Sequence, residues 1–318
     1  MKEKRFGDFM ECSKQTISYP SSNQIDTVVA TIWSPPEEAK GIVQICHGMC
    51  EYIDRYDHFA RYLAGHGYLV CGNDHIGHGR TAGSEEKLGY FSPSGGGKHL
   101  TDDVHQLVQR MQREYPSLPY FLLGHSMGSF ITRNYIVQYP KGLSGYICCG
   151  TSGPNPLAGI GLRTANHLIK KHGDHYRSEL LQSLAFKNYN KRFGKDAGQF
   201  AWVSSDLEIT DAYEKDPHCN FIFTAGGFRD LFSLLQAVSA DDWAARVNKY
   251  LPILIISGEM DPVGGYGKGV EKVYRKLSDC GVYDLKMKLY FGARHELINE
   301  VNKEEVFADI LNWIEKRI

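Results

Sequence analysis

Apolar residues in this chain fall into short dense runs, separated by longer stretches in which they recur every three or four positions. The runs are Ile42 to Cys46, Tyr68 to Cys71, Tyr120 to Leu123, Gly145 to Cys149, Ile253 to Ile256 and Met287 to Phe291. Pro252 to Ser257 is continuously apolar up to its last residue, as a strand covered on both faces should be. Lys286 to Phe291 alternates more weakly. Thr16 to Tyr19 and Thr27 to Trp33 read as an opening antiparallel pair, which brings the expected strands to eight. Between them, Leu100, Val104, Leu107, Val108 and Met111 repeat at helical spacing, and Asp102 and Asp103 suit the N-terminus of that helix. The last helix puts Val306, Phe307, Ile310, Leu311 and Ile314 on one stripe, between Glu304-Glu305 and Lys316-Arg317. Such alternation of strand and helix predicts an α/β fold, a mostly parallel eight-stranded sheet flanked by helices.

The pattern breaks between Ser152 and about Ala245. This stretch holds no convincing buried strand, but it has helical apolar clusters (Ile160, Leu162, Leu168, Ile169; Leu180, Leu181, Leu184). An aromatic-rich segment from Phe221 to Phe232 follows, interrupted by Gly226-Gly227. Some ninety residues between two sheet strands are too many for a loop. The expectation is an inserted helical cap over 152–245, with 1–151 and 246–318 forming the core. A cap above the sheet's C-terminal edge would enclose a site. Leu157, Ile160, Phe221, Phe223 and Phe228 are then the candidates for an apolar substrate pocket.

The chemistry centres on Tyr120 to Ser129, in which a strand-like run enters Gly124-His125-Ser126-Met127-Gly128 and a helix-compatible stretch leaves it. A turn of this kind strains its central serine and exposes the hydroxyl, so Ser126 is the expected nucleophile. Serine needs a base, and the base needs an orienting acid. Asp261 lies in Gly258-Glu259-Met260-Asp261-Pro262, directly after the strand that ends at Ser257. His295 lies in Gly292-Ala293-Arg294-His295-Glu296, directly after the strand that ends at Phe291. Serine, acid and histidine therefore follow one another in the order, and at the strand ends, that acyl transfer on such a sheet requires.

These segments resemble the α/β-hydrolase superfamily, and more narrowly its monoacylglycerol lipase and lysophospholipase branch. His47-Gly48-Met49-Cys50-Glu51-Tyr52-Ile53-Asp54-Arg55-Tyr56 is similar to that branch's HGxxEHxxRY segment, with Tyr52 where histidine is usual. Asp74 to Thr81 resembles its DxxGHGxS/T loop, and Trp202 to Asp206 with Ala212 to Pro217 resembles part of its cap. The resemblance implies the α/β-hydrolase fold and a serine hydrolase that cleaves carboxylic esters through an acyl-enzyme, most naturally monoacylglycerols. It implies an oxyanion hole built from the backbone N–H groups of Met49 and Met127, and no cofactor. It also matches Glu51 and Arg55 to a charged pair beside the pocket. Lysophospholipase and broad short-chain carboxylesterase stay open as alternatives, as does a non-catalytic small-ligand receptor on the same fold.

Composition adds exclusions. A net charge of −1 and the absence of a basic stripe leave no field for a nucleic acid. The expected partner is a small acyl ester, with transient contact between the cap and a membrane surface. No apolar run approaches the ~20 residues of a bilayer span. Met1 to Asp8 lacks the apolar region of an export leader. With 8 scattered cysteines, that points to reduced thiols in a cytoplasm. Cys46 and Cys50 lack a second thiol or histidine pair at zinc spacing, and His167, His172 and His175 are spread along a Lys-rich stretch that reads as an exposed helix, so neither group is expected to bind a metal.

Overall fold

The computed structural model describes residues 12–194 and 197–318. The opening residues on which the expectation about an export leader rests lie outside the described residues. Eight strands form one sheet: β1 (Ser13–Pro20), β2 (Thr27–Ser34), β3 (Gly41–Cys46), β4 (Tyr68–Asn73), β5 (Tyr120–His125), β6 (Gly145–Cys149), β7 (Ile253–Gly258) and β8 (Leu285–Tyr290). Their spatial order is β1-β2-β4-β3-β5-β6-β7-β8. β2 runs antiparallel to both its neighbours, and every other pairing is parallel. This is the mostly parallel sheet that the apolar runs predict.

The helices are α1 (Asp57–Gly65), α2 (Gly79–Ala82), α3 (Gly96–Glu114), α4 (Met127–Gln138), α5 (Ala158–His172), α6 (Glu179–Phe186), α7 (Leu207–Lys215), α8 (Ala225–Ser239), α9 (Lys268–Asp279) and α10 (Lys303–Glu315). Strand side chains alternate between the two faces, so β5 sends Tyr120 and Leu122 to one core and Phe121 and Leu123 to the other. One core is completed by α3, α4, α8 and α9, the other by α1 and α10.

Two local expectations need correcting. α3 begins at Gly96, well before Asp102 and Asp103. Its N-terminus is closed by the carboxylate of Asp230 from α8, so close that a Cβ on Gly96 would lie 2.1 Å from Asp230 Oδ2. Asp103 is a mid-helix residue that accepts hydrogen bonds from Ser21 Oγ (2.7 Å) and Ser22 N (2.6 Å), tying α3 to the β1–β2 turn. Gly226-Gly227, for its part, does not interrupt a helix but opens α8. A Cβ on Gly227 would lie 2.0 Å from the carbonyl oxygen of Gly89, so glycine is what lets α8 approach that loop.

The chain between β6 and β7 carries α5 to α8 and shows no strand among its described residues. α8 packs on both α4 and α5, and residues of α5, α6 and α8 line one cavity with Ser126, after β5, and His295, after β8.

Candidate active site

Ser126 stands between the end of β5 and the first turn of α4, with φ 53° and ψ −120°. A side chain at positive φ is strained, and here the backbone around it imposes the conformation. The Ser126 N–H donates to Cys149 O of β6 (3.0 Å), and Ser126 O accepts from Ser129 N (2.8 Å). A Cβ on Gly124 would come 2.1 Å from Thr132 Oγ1 and 2.5 Å from Gly128 O. A Cβ on Gly128 would come 2.1 Å from Cys46 O and 2.5 Å from His47 O. Strand, helix and the loop leaving β3 therefore meet backbone to backbone, and only glycine fits at the two flanking positions. Met127 opens α4, where helix N–H groups lack an intrahelical acceptor.

The loop leaving β3 is braced by histidines. His47 Nε2 accepts from His75 N (2.9 Å), and its Nδ1 lies 2.8 Å from Gly48 O, so Nδ1 carries the proton. His75 Nε2 lies 3.2 Å from His47 O. His78 Nε2 accepts from Cys50 N (3.3 Å), just where Cys50 turns the chain at φ 54°. Burial pushes His47 and His75 well below the usual histidine range and His78 down to about 4, so all three are neutral braces. A Cβ on Gly48 would lie 2.9 Å from Ser126 Cβ, which puts Met49 beside Ser126.

Glu51 is almost fully buried. Its Oε1 accepts from the N–H of Gly48, from Tyr56 Oη (3.0 Å) and from His125 Nδ1 (2.8 Å). His125 Nε2 lies 3.3 Å from His295 O, so both ring nitrogens face acceptors and both carry protons. Burial alone would lower the His125 pKa, but the charge and hydrogen bond of Glu51 outweigh it and the group is raised. Burial likewise pushes the Glu51 pKa upward, and the imidazolium overrides it, holding the carboxyl below the usual range. Glu51 and Arg55 do approach, at 3.8 Å, but each has a closer partner: His125 for Glu51, and Glu296 for Arg55.

Asp261 is fully buried in the loop after β7. Its Oδ1 accepts from Val263 N (2.8 Å) and its Oδ2 from Ser257 Oγ (3.2 Å). Asp261 Oδ1 lies 3.1 Å from His295 Nδ1, in an oblique rather than collinear approach. His295 follows β8, and its backbone N–H donates to Trp202 O (3.3 Å) while Glu296 N donates to Val203 O (2.8 Å). The Trp202 ring lies 5.1 Å from the His295 ring. The segment between β6 and β7 thus forms part of the wall that holds His295.

Ser126, His295, Met49 and Met127 line one cavity of about 600 Å³. Of the pocket residues expected from the sequence, Leu157, Ile160 and Phe221 line it. Phe223 and Phe228 do not. Phe223 packs edge-on against Phe91 with ring centroids 5.2 Å apart, and Phe228 sits between Phe223 and Phe232, both fully buried in the core. Much of the apolar wall comes instead from Phe130, Phe186, Phe200, Leu231, Phe232 and Leu235. Phe130 stands one helical turn after Met127, a periodicity signal that could have flagged it. Phe186 and Phe200 carry no comparable mark, because an aromatic residue in a helical insertion reads the same whether it faces core or cavity.

The family described as "Serine aminopeptidase, S33" (Hydrolase_4) matches residues 37–302. A monoacylglycerol lipase of Mycolicibacterium smegmatis is 31% identical over 291 residues, spanning 90% of this chain and 92% of that protein. Human monoglyceride lipase is 28% identical over 289 residues, 90% of this chain and 86% of its own length. Among solved structures, a thermostable carboxyl esterase of Bacillus coagulans, in complex with glycerol, matches with a TM-score of 0.90 and 34% identity over 96% of this chain and 99% of that one.

Proposed function

This chain belongs to the Hydrolase_4 family, and from that premise we propose that it hydrolyses monoacylglycerols or similar single-chain acyl esters through an acyl-enzyme on Ser126. It is a carboxylic ester hydrolase of the α/β-hydrolase superfamily. In this reading His295 takes the proton of Ser126 Oγ as the oxygen attacks the ester carbonyl, and Asp261 holds the His295 tautomer and stabilises the imidazolium. The N–H groups of Met49 and Met127 receive the oxyanion. His295 then protonates the departing alcohol, and water, activated by the same histidine, releases the acid. Residues 152–245 act as a cap over this machinery.

The observation that carries the substrate choice is the cavity. At about 600 Å³ it falls within the ~300–1,000 Å³ of sites that hold one small ligand, enough for one acyl chain and its alcohol but not three chains. Its charged lining residues are Glu51, paired with the His125 imidazolium, Glu296, paired with Arg55, and Lys187, which is exposed to solvent. With His125 and Arg55 each spent on a carboxylate, the described lining keeps no unpaired cation beside Ser126 to hold a phosphate headgroup, and a neutral alcohol suits it. An aminopeptidase would need a free carboxylate for a substrate ammonium, but Glu51 is engaged by His125 and Glu296 by Arg55.

Leu157 and Ile160 on or beside α5 and Leu180 and Leu184 on α6 are about half exposed or more, which fits transient contact of the cap with a lipid surface. No helix among the described residues is long and apolar enough to cross a membrane. All eight cysteines are unpaired thiols, which suits a reducing compartment such as the cytoplasm.

The test compares kcat/KM for 1-monoacylglycerols of four to sixteen carbons with lysophosphatidylcholine and a triacylglycerol. Medium-chain monoacylglycerols should lead, each buried methylene adding about 0.8 kcal/mol until the cavity is filled. A steady fall from the shortest chain would make this a short-chain carboxylesterase, and preference for the phospholipid would overturn the reading.

A further inference from the structure

Arg133 lies on α4, two turns after Ser126, and is almost completely buried. No carboxylate meets it among the described residues. Nη1 donates to Ser152 O (3.1 Å) and lies 3.4 Å from Thr151 Oγ1, while Nη2 donates to Val238 O (2.8 Å). Its guanidinium carbon lies 4.2 Å from the centroid of the Trp243 ring, and Trp243 Nε1 donates to Arg133 O (3.1 Å). Nε meets no acceptor. Burying an unpaired guanidinium is costly, and an apolar side chain of similar volume would fill such a space with less desolvation. Core filling therefore does not account for it.

What distinguishes the acceptors is their place in the chain. Thr151 and Ser152 are where the chain leaves β6 for the segment above the sheet, and Val238 and Trp243 are where it returns. The two stems also meet directly, through Asn155 N to Ser239 Oγ (3.0 Å). Immediately beyond the outgoing stem come Leu157 and Ile160, and within two turns before Val238 come Leu231, Phe232 and Leu235; all five line the cavity. At the other end of α4, Ser129 Oγ lies 2.5 Å from Ser126 O and 2.8 Å from Thr151 Oγ1. A single planar fork thus spans both stems from the helix that begins at the nucleophile, a geometry lysine's point charge cannot reproduce.

We propose that Arg133 is a specificity-determining positioning residue: it sets the distance of both cap stems from the Ser126 helix and thereby the acyl length the cavity accepts. The proposal rests on the ester hydrolase reading above. A short acyl chain touches only residues beside Ser126, whereas a long one lies against α8 and the start of α5. Loss of the fork should therefore weaken long chains selectively.

The experiment uses the full-length chain and compares 4-nitrophenyl butyrate with 4-nitrophenyl laurate for wild type, Arg133→Met and Arg133→Lys. In Arg133→Met, kcat/KM for laurate should fall at least tenfold with a raised KM, butyrate should stay within about threefold, and Arg133→Lys should recover part of the laurate rate. A folded Arg133→Met with the wild-type ratio of the two esters would overturn the proposal, even with a lowered melting temperature, since a purely structural role moves stability and leaves the ratio alone. If that variant does not fold, Trp243→Phe removes the indole hydrogen bond to Arg133 O; it should shift the ratio the same way by several-fold, and an unchanged ratio counts against the clamp. Backbone amide exchange at 151–155 and 236–243 judges the clamp without turnover: faster exchange at both stems in Arg133→Lys supports it, and wild-type exchange overturns it. Wild-type protein inert towards both esters would defeat the ester hydrolase reading instead.

Discussion

Replacing Ser126 with glycine should remove activity and make the protein more stable. At φ 53° and ψ −120° the serine backbone is held where a Cβ is unfavourable, at a cost of about 1–3 kcal/mol for such a residue. Glycine relieves that strain, but it gives back about 0.4–1 kcal/mol through the greater freedom of its unfolded state. Few contacts are lost, because the side chain is a single hydroxymethyl group partly open to the cavity. The net gain is about 1 kcal/mol. With ~2.1 cal/mol/K of unfolding entropy per residue, a chain of 318 residues should melt about 1–2 °C higher. Ser126→Ala is the control, since it removes the hydroxyl and keeps the Cβ, so its melting temperature should stay near wild type. Both variants should lose on the order of 10⁶ in kcat for an ester and all labelling by a fluorophosphonate. Differential scanning calorimetry of the three proteins, at one scan rate, decides the matter. A Ser126→Gly protein that melts below Ser126→Ala would refute the strain argument, and substantial turnover by either would refute the nucleophile.

Two further outcomes follow from the same geometry. The Glu51 carboxyl is held below its ordinary value of 4.5, so its contribution to stability is present above that pH and fades as pH falls; His125 is held above 6.5, so its contribution is full below that pH and fades as pH rises through the raised value. His125→Gln, which breaks a buried pair worth about 3–5 kcal/mol to remove on one side, should therefore destabilise most between these limits and less near pH 9; a gap that widened from pH 6 to pH 9 in urea titrations would contradict a charged His125. Gly128→Ala should cost more than about 3 kcal/mol, because its methyl has only the carbonyl oxygens of Cys46 and His47 to displace, and wild-type urea stability would show that the contact yields easily.

The sheet was legible because strands buried on both faces leave dense apolar runs that little else produces, and all eight expected strands form. The start of α3 was not, since the acid at its N-terminus is Asp230, some 130 positions away, and the local acids Asp102 and Asp103 drew the boundary too late. Candidate reacting groups were found because a strand end followed by glycine is a local signature. The pocket wall was not local. Phe221 and Phe223 are two residues apart, yet one faces the cavity and the other the core, and the partners that decide this, Phe91 and Gly89, come from a distant loop. His125 hid its role in the same way: its partner Glu51 is 74 residues away.

The glycines at 124 and 128 have a consequence for how the protein can vary. Ser126 is located by main chain resting on main chain, and main chain has no rotamers to rearrange and no side-chain volume to change. Substitution in either core can therefore proceed, with repacking and some loss of stability, without being transmitted as a displacement of Ser126. A reacting centre insulated in this way lets most of the chain drift. It accords with a fold kept at a TM-score of 0.90 against a structure that shares 34% of its residues, and it marks the two glycines as positions where redesign has the least room.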